Sequence, residues 1–283
     1  MDKVDEKSLG RRLQEARQAA GLTQQGLCHR AGLSYSTLAK IERGAIKSPS
    51  IFTIGQIAGA LGTSLDSLVG NSPTTADGPR LSKSGISFAF FDINGCLVRF
   101  FHRAFTKLAE ETGAPADVIE TTFWHYNDAV CKGEMTVAAF NHVLAKRLGV
   151  PKLYWQQYYL EAIDPITEMQ ELVRWASKNY RVGLLSNIMP GFIDVMRSKG
   201  LIPEANYAAI VDSSKVGCIK PDRQIYEVAQ QMANCPSDQI LLVDDSRTNV
   251  MAAEKMGWHV LWFDDYRPSE SAKRIRAVLE PSD

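Results

Sequence analysis

The sequence predicts an α + α/β protein, in which a small helical unit precedes a larger unit built on a parallel sheet. Three observations carry this. The 283 residues exceed the ~100–150 of a typical single domain. Up to residue 70 apolar residues recur only at helical spacing, whereas after residue 85 short β-branched and aromatic runs alternate with helical stretches, the pattern of a sheet covered on both faces. Between the two, NSPTTADGPRLSKSG over 71–85 holds two prolines, two glycines and a Ser/Thr cluster without an apolar period, and is expected to be a linker.

Hydrophobic residues at 45% and charged residues at 23% supply a sizeable core and exclude wholesale disorder. No run reaches the ~18 apolar residues of a membrane span. The charged start MDKVDEKSLGRR lacks the apolar stretch of a signal peptide, so a cytoplasmic protein without a membrane partner is expected. Cys28, Cys96, Cys131, Cys218 and Cys235 are scattered and form no C-x-x-C pair; reduced thiols are expected, not a disulfide framework or a zinc site. The net charge of zero conceals a split: residues 1–70 carry nine Lys and Arg against six Asp and Glu, a basic head on an acidic body.

In the head, apolar periodicity predicts helices over 9–20, 24–31, 35–43, 51–61 and 65–69. Thr23 and Ser34 stand as N-caps, and Gly21, Gly32, Gly44 and Gly62 stand where helices stop. LTQQGLCHRAGLSYSTLAKIERG, residues 22–44, reads as two helices joined at Gly32, with Leu27, Ala31, Leu38 and Ile41 inward: a five-helix unit centred on a helix-turn-helix. It resembles the Xre and lambda-repressor type of DNA-binding domain over residues 8–70. The resemblance implies double-stranded DNA as a partner, with the second motif helix in the major groove. Tyr35, Ser36 and Lys40 would read bases, and Gln24 would hold a phosphate with help from Thr37 and Arg43. Arg17 and Glu42 lie on otherwise apolar faces and, by the same resemblance, form a structural ion pair. One head engages few phosphates, so a homodimer reading two half-sites is expected.

In the body, ISFAFFD, RVGLLSN, YAAIVDS, QILLVDD and HVLWFDD are the predicted strands. Asp92 closes the first, followed by a turn at Asn94-Gly95, and a carboxylate at a parallel strand's C-terminal edge is where such sheets build sites. Ser186 and Asn187 end the next strand with short groups able to hydrogen-bond a phosphoryl oxygen. Lys220 precedes a Pro-started helix and suits neutralisation of a phosphate. Asp244 and Asp245 repel each other unless a divalent cation or a proton intervenes. A carboxylate nucleophile, a hydroxyl–amide pair, a lysine and an acid pair make a phosphoryl-transfer site.

Over residues 86 to about 266 the chain resembles the haloacid dehalogenase (HAD) superfamily of phosphohydrolases. This implies a Rossmann-like parallel sheet, Mg²⁺ as cofactor and a phosphorylated small-molecule ligand. Asp92 would be nucleophile and metal ligand, with the backbone carbonyl of Asn94 a further ligand. Asp245 would be the direct acidic ligand with Asp244 its neighbour, Ser186 and Asn187 would bind phosphate, and Lys220 would hold Asp92 and phosphate together. Four helical blocks from about 100 to 164 resemble the family's helical cap; most of their aromatics are expected to be cap core, and the end beyond about 267 a tail. One departure stands out. The usual hydrolases carry a second Asp two residues after the nucleophile, and here Asn94 occupies that place, although some sugar-phosphatase-like members also lack it.

Three functions follow from these residues: a DNA-binding transcription regulator whose body binds a phosphorylated ligand with little turnover, a working Mg²⁺-dependent phosphatase with a targeting head, or an interaction protein that uses the body as a dimerisation platform. Asn94 favours the first over the second. The full set of Asp92, Ser186, Asn187, Lys220 and Asp245 counts against the third.

Overall fold

A computed structural model describes residues 6–46, 49–61, 63, 68 and 81–281. The chain divides into two compact units, Met1–Gly78 and Pro79–Asp283. In the first, α1 (Glu6–Ala19), α2 (Gln24–Ala31), α3 (Tyr35–Glu42) and α4 (Ile51–Leu61) enclose Leu13, Leu27, Leu38, Ile41, Ile54, Ile57 and Leu68. Most of the helix expected at 65–69 lies outside the described residues. The caps are as the sequence implies: Thr23 Oγ1 accepts from Gly26 N at 3.0 Å, and Ser34 Oγ from Thr37 N at 3.2 Å. Gly32 ends α2 at φ +65°, a left-handed conformation that glycine adopts without penalty. Gly10 serves differently, because a Cβ there would lie 2.6 Å from the carbonyl oxygens of Ile41 and Glu42. Its missing side chain lets α1 approach the C-terminal end of α3.

The second unit is a five-stranded parallel sheet in the order β3-β2-β1-β4-β5. The strands are β1 (Phe88–Phe91), β2 (Arg181–Ser186), β3 (Tyr207–Asp212), β4 (Ile240–Asp244) and β5 (His259–Trp262). All five coincide with the apolar runs of the sequence; β1 and β4, buried at every position, show why, since a strand covered on both faces is apolar nearly throughout. Phe88 and Phe90 face one core with Leu185, Ile240 and Leu242, whereas Ala89 and Phe91 face the other with Val182, Leu184 and Val243, the two-residue alternation of a strand. Gly183, opposite Phe90, leaves room for that ring: a Cβ would meet it at 2.6 Å.

Between β1 and β2 the chain forms α5 (His102–Thr112), α6 (Ala116–Cys131), α7 (Val137–Arg147), α8 (Trp155–Ala162) and α9 (Thr167–Asn179). The first four are the expected helical insertion. Phe105, Phe123, Phe140 and Trp155 are fully buried among them. After β2 come α10 (Phe192–Ser198), α11 (Ser213–Val216) behind β3, α12 (Arg223–Ala233), α13 (Arg247–Lys255) behind β4, and α14 (Pro268–Val278).

Two expected boundaries shift. Residues 81–85, read as linker, belong to the body: Ser82 bridges Pro281, Lys83 N donates to Glu280 O at 2.9 Å, and Ser82 Oγ accepts from Ile86 N at 3.1 Å. Residues 71–80 lie outside the described residues. The expected tail is α14, which packs on α9 and buries Ile275 and Leu279.

Candidate functional site

β1 lies centrally, with β2 on one side and β4 on the other, so the crevice where connections diverge opens at its C-terminal end. Asp92 follows there, and Lys220 and the Asp244–Asp245 pair converge on it. Lys220 Nζ sits 2.9 Å from Asp92 Oδ1, 2.6 Å from Asp244 Oδ2 and 2.9 Å from the Leu185 carbonyl. Burial opposes its charge, but the two carboxylates outweigh this and raise its pKa. Ligand oxygens of Asp92, Asp244 and Asp245 all lie within 4.8 Å of one another. Three carboxylates share one ammonium, so burial pushes Asp92 up against the opposing charge of Lys220, and pushes Asp245 up to about 8, reinforced there by Asp92 and Asp244.

The two aspartates of the pair differ. Asp244 is fully buried and its oxygens are taken: Oδ1 accepts from Ser246 N at 2.8 Å and Asn249 Nδ2 at 3.0 Å, and Oδ2 from Lys220. Asp245 faces the cavity, and Gly95 is what makes room for its carboxylate, since a Cβ at Gly95 would fall 2.1 Å from Oδ2. Asp92 Oδ1 and Ser186 Oγ are buried without a hydrogen bond, the former held by its ion pair with Lys220 alone. Orphaned buried oxygens beside surplus negative charge, in an all-oxygen donor set, fit a hard divalent cation such as Mg²⁺.

Residues 86–257 match the haloacid dehalogenase-like hydrolases, and residues 13–68 match a helix-turn-helix family. The chain belongs to the haloacid dehalogenase-like hydrolases. A predicted HAD-like hydrolase from Porphyromonas gingivalis is 22% identical, with TM-score 0.56 over 68% of this chain and 98% of its own. A HAD family enzyme from Bacteroides thetaiotaomicron in complex with magnesium and inorganic phosphate is 19% identical, with TM-score 0.52 over 64% and 96%. The restriction-modification controller protein C.AhdI from Aeromonas hydrophila is 35% identical over 23% of this chain and 98% of its own, with TM-score 0.22. No curated protein matches the chain.

The HAD site opens into a cavity of about 480 Å³ with Asp92, Asn94, Lys220 and Asp245 at its floor and the helical insertion as its wall. Asn94 is the departure, and the structure gives it a partner that sequence reasoning missed. Tyr159 of α8 donates its hydroxyl to Asn94 Oδ1 at 2.5 Å; burial pushes that phenol's pKa far up, so it stays protonated. Tyr159 and Trp155 are buried, yet both also line the cavity. No sequence signal marks this pairing, which links two elements 65 residues apart.

The expected phosphate-binding pair divides. Ser186 Oγ remains without a partner, but the Asn187 amide is committed elsewhere: Nδ2 donates to the Lys220 carbonyl and Oδ1 accepts from Lys220 N, both at 2.7 Å. Asn187 therefore clamps the segment that carries the lysine. Ser213 was also missed. Its hydroxyl donates to Cys131 O at the end of α6 and accepts from Ile188 N, tying the helical insertion to the loop after β2. Asn249, one helical turn beyond Asp245, was missed as well; its amide donates to Asp244 Oδ1 at 3.0 Å.

On the head, Tyr35, Ser36 and Lys40 are exposed on one helix. Thr37 Oγ1 lies 2.8 Å from Ser34 Oγ, and Arg43 Nε donates to Ala39 O. Arg17 and Glu42 pair as expected, through Nε at 2.7 Å and Nη2 at 3.2 Å. Gln24, expected on a phosphate, donates Nε2 to Glu42 Oε2 at 2.7 Å.

Proposed function

We propose that the protein is a DNA-binding regulator whose HAD-like body binds a phosphorylated small molecule with Mg²⁺ and turns it over slowly or not at all. The observation that carries this reading is an amide at position 94 held by a neutral phenol. Phosphoryl transfer to Asp92 Oδ forms one P–O bond and breaks another, and the departing oxygen needs a proton. Neither Asn94 nor the protonated Tyr159 is a proton-transfer group matched to neutral pH, and a missing general acid/base costs ~10²–10⁴ in rate. With Tyr159 on its oxygen, Asn94 is left to offer N–H to the bound ligand, a hydrogen bond that holds without cleaving.

Asp92, Asp245 and the Asn94 carbonyl would hold the cation, which when bound offsets phosphoryl charge. Asp244, its lone pairs used, fixes Lys220. Lys220 restrains Asp92, Asn187 fixes the lysine's backbone, and Ser186 offers its free hydroxyl to a phosphoryl oxygen. In the head, Tyr35, Ser36 and Lys40 reach base edges, with Thr37 and Arg43 near the phosphates. A homodimer supplies the second half-site. The ligand regulates DNA binding only through differential affinity for two arrangements of the protein. Footprinting on DNA flanking the native gene, with and without Mg²⁺ and a panel of phosphorylated metabolites, tests this: a protected site that shifts with one metabolite is expected, and equal affinity for all duplexes under every condition refutes it.

The working phosphatase is favoured by a different observation, the intact Asp92–Lys220–Asp245 geometry, and is separated by its rate.

A further inference from the structure

We propose that the cavity selects a phosphomonoester whose organic part is a small organic cation. The inference rests on phosphate binding at the Asp92 floor and adds what the mouth recognises. One face of α6 lines the cavity at helical spacing, with Phe123 and Trp124, then Asn127 and Asp128, then Cys131. Phe100 approaches from the segment after β1, its ring nearly parallel to Trp124 at a centroid distance of 6.3 Å and an angle of 6°. Trp124 is 44% exposed, leaving ring surface open beside the cavity.

The charges around this aromatic wall are one-sided. Among the described residues lining the cavity, Lys220 is the sole cation, and it is buried at the floor against Asp92 and Asp244. Asp128 stands at the mouth with a single hydrogen bond, from its neighbour Asn127 at 3.3 Å. The lysine one turn along, Lys132, pairs with Asp222 at 3.6 Å. Arg99, His102 and Arg103 line a separate hollow that shares only Phe100 with this cavity, and Arg103 is engaged by Asp164.

A carboxylate without a cation, set beside open aromatic faces, attracts an ammonium through both the charge and the ring quadrupoles. A second phosphate or a carboxylate on the ligand would meet Asp128 with no basic group beside it among the described residues that line the cavity. An uncharged alkyl group would gain the aromatic surface but not the electrostatic term. The volume of about 480 Å³ accommodates a phosphate with a compact organic group.

Isothermal calorimetry on the full chain with Mg²⁺ tests this with four probes: inorganic phosphate, phosphocholine, the uncharged isostere carrying a tert-butyl group for the trimethylammonium, and phosphoglycolate. Phosphocholine should bind about tenfold more tightly than the isostere, the gain that the Asp128 charge and the aromatic rings supply together, and phosphoglycolate should bind most weakly of the esters. Asp128→Asn, an isosteric change at an exposed position, should reduce this preference and leave the part that the rings supply. Equal binding of the two esters by the parent protein, tighter phosphoglycolate, or a preference undiminished in Asp128→Asn overturns the inference. If inorganic phosphate binds and the esters do not differ, the cation preference alone fails. If inorganic phosphate and every ester fail to bind, the phosphate-binding reading falls with it.

Discussion

Glu42→Ala removes one member of a buried network in the head, and the geometry sets what this should cost. Glu42 receives two hydrogen bonds from Arg17 and one from Gln24, and the side chains of the ion pair are 10% and 3% exposed for Arg17 and Glu42. Without the carboxylate, Arg17 keeps the Leu22 carbonyl at 2.8 Å but loses the charge that justified its burial. Breaking such a pair from one side costs ~3–5 kcal/mol, and the partial exposure of Arg17 favours the lower end. In a unit of this size 1 kcal/mol moves the midpoint by roughly 4–8 °C, so a drop of about 12–24 °C is expected. Trp124, Trp155, Trp175, Trp258 and Trp262 all lie in the body and account for every tryptophan of the chain. Tryptophan fluorescence therefore reports the body, while far-ultraviolet circular dichroism reports both units. The dichroism melt of Glu42→Ala should gain an early phase while the fluorescence transition stays in place, and Glu42→Gln should show a smaller loss. A dichroism melt superimposable on the parent's refutes the reasoning.

Gly95→Ala should lower Mg²⁺ affinity at least about tenfold by calorimetry, because its Cβ would fall 2.1 Å from Asp245 Oδ2 at a backbone φ of +81° that alanine resists; unchanged affinity removes Asp245 as a ligand. Lys220→Met strands the carboxylates it neutralises and should destabilise the body by ~3–5 kcal/mol without metal, with Mg²⁺ restoring part of the fluorescence midpoint; an unaltered midpoint contradicts the charge balance described. Lys40→Ala should weaken binding to the footprinted site by ~1–3 kcal/mol if Lys40 contacts a base, and a loss of equal size on random duplex assigns it to phosphate.

The inner strands were legible because a strand covered on both sheet faces is apolar nearly throughout, and Phe88–Phe91 is such a run; the half-exposed edge strand His259–Trp262 was legible from its aromatic and β-branched residues. The convergence of Asp92, Asp244 and Asp245 was legible too, since a parallel sheet brings the ends of its strands to one edge, and Lys220 joins them from the segment before a helix. Arg17 and Glu42 were betrayed by charge on apolar helix faces. Finer roles were not readable. Asp244 and Asp245 look alike in sequence, and only packing shows that the first is saturated and the second open. Asn187 carries the right chemistry for a phosphate but spends it on the Lys220 backbone. The Tyr159–Asn94 contact depends on how the helical insertion settles over the sheet, a tertiary outcome without a local pattern. Residues 81–85 and 268–278 were misread because linker-like composition and distance from the motifs say nothing about pairing with a remote segment.

Steady-state turnover of a small phosphomonoester with Mg²⁺, measured side by side for the parent protein and Asn94→Asp, tests the central claim most directly. The parent should bind phosphate yet hydrolyse below ordinary enzyme rates of ~1–10³ s⁻¹, and any phosphoryl group on Asp92 should persist for want of a base to activate water. Asn94→Asp restores a carboxylate and should raise turnover by up to ~10²–10⁴. Turnover by the unmodified protein at ordinary enzyme rates, with no gain from Asn94→Asp, would contradict the regulator and establish a working phosphatase.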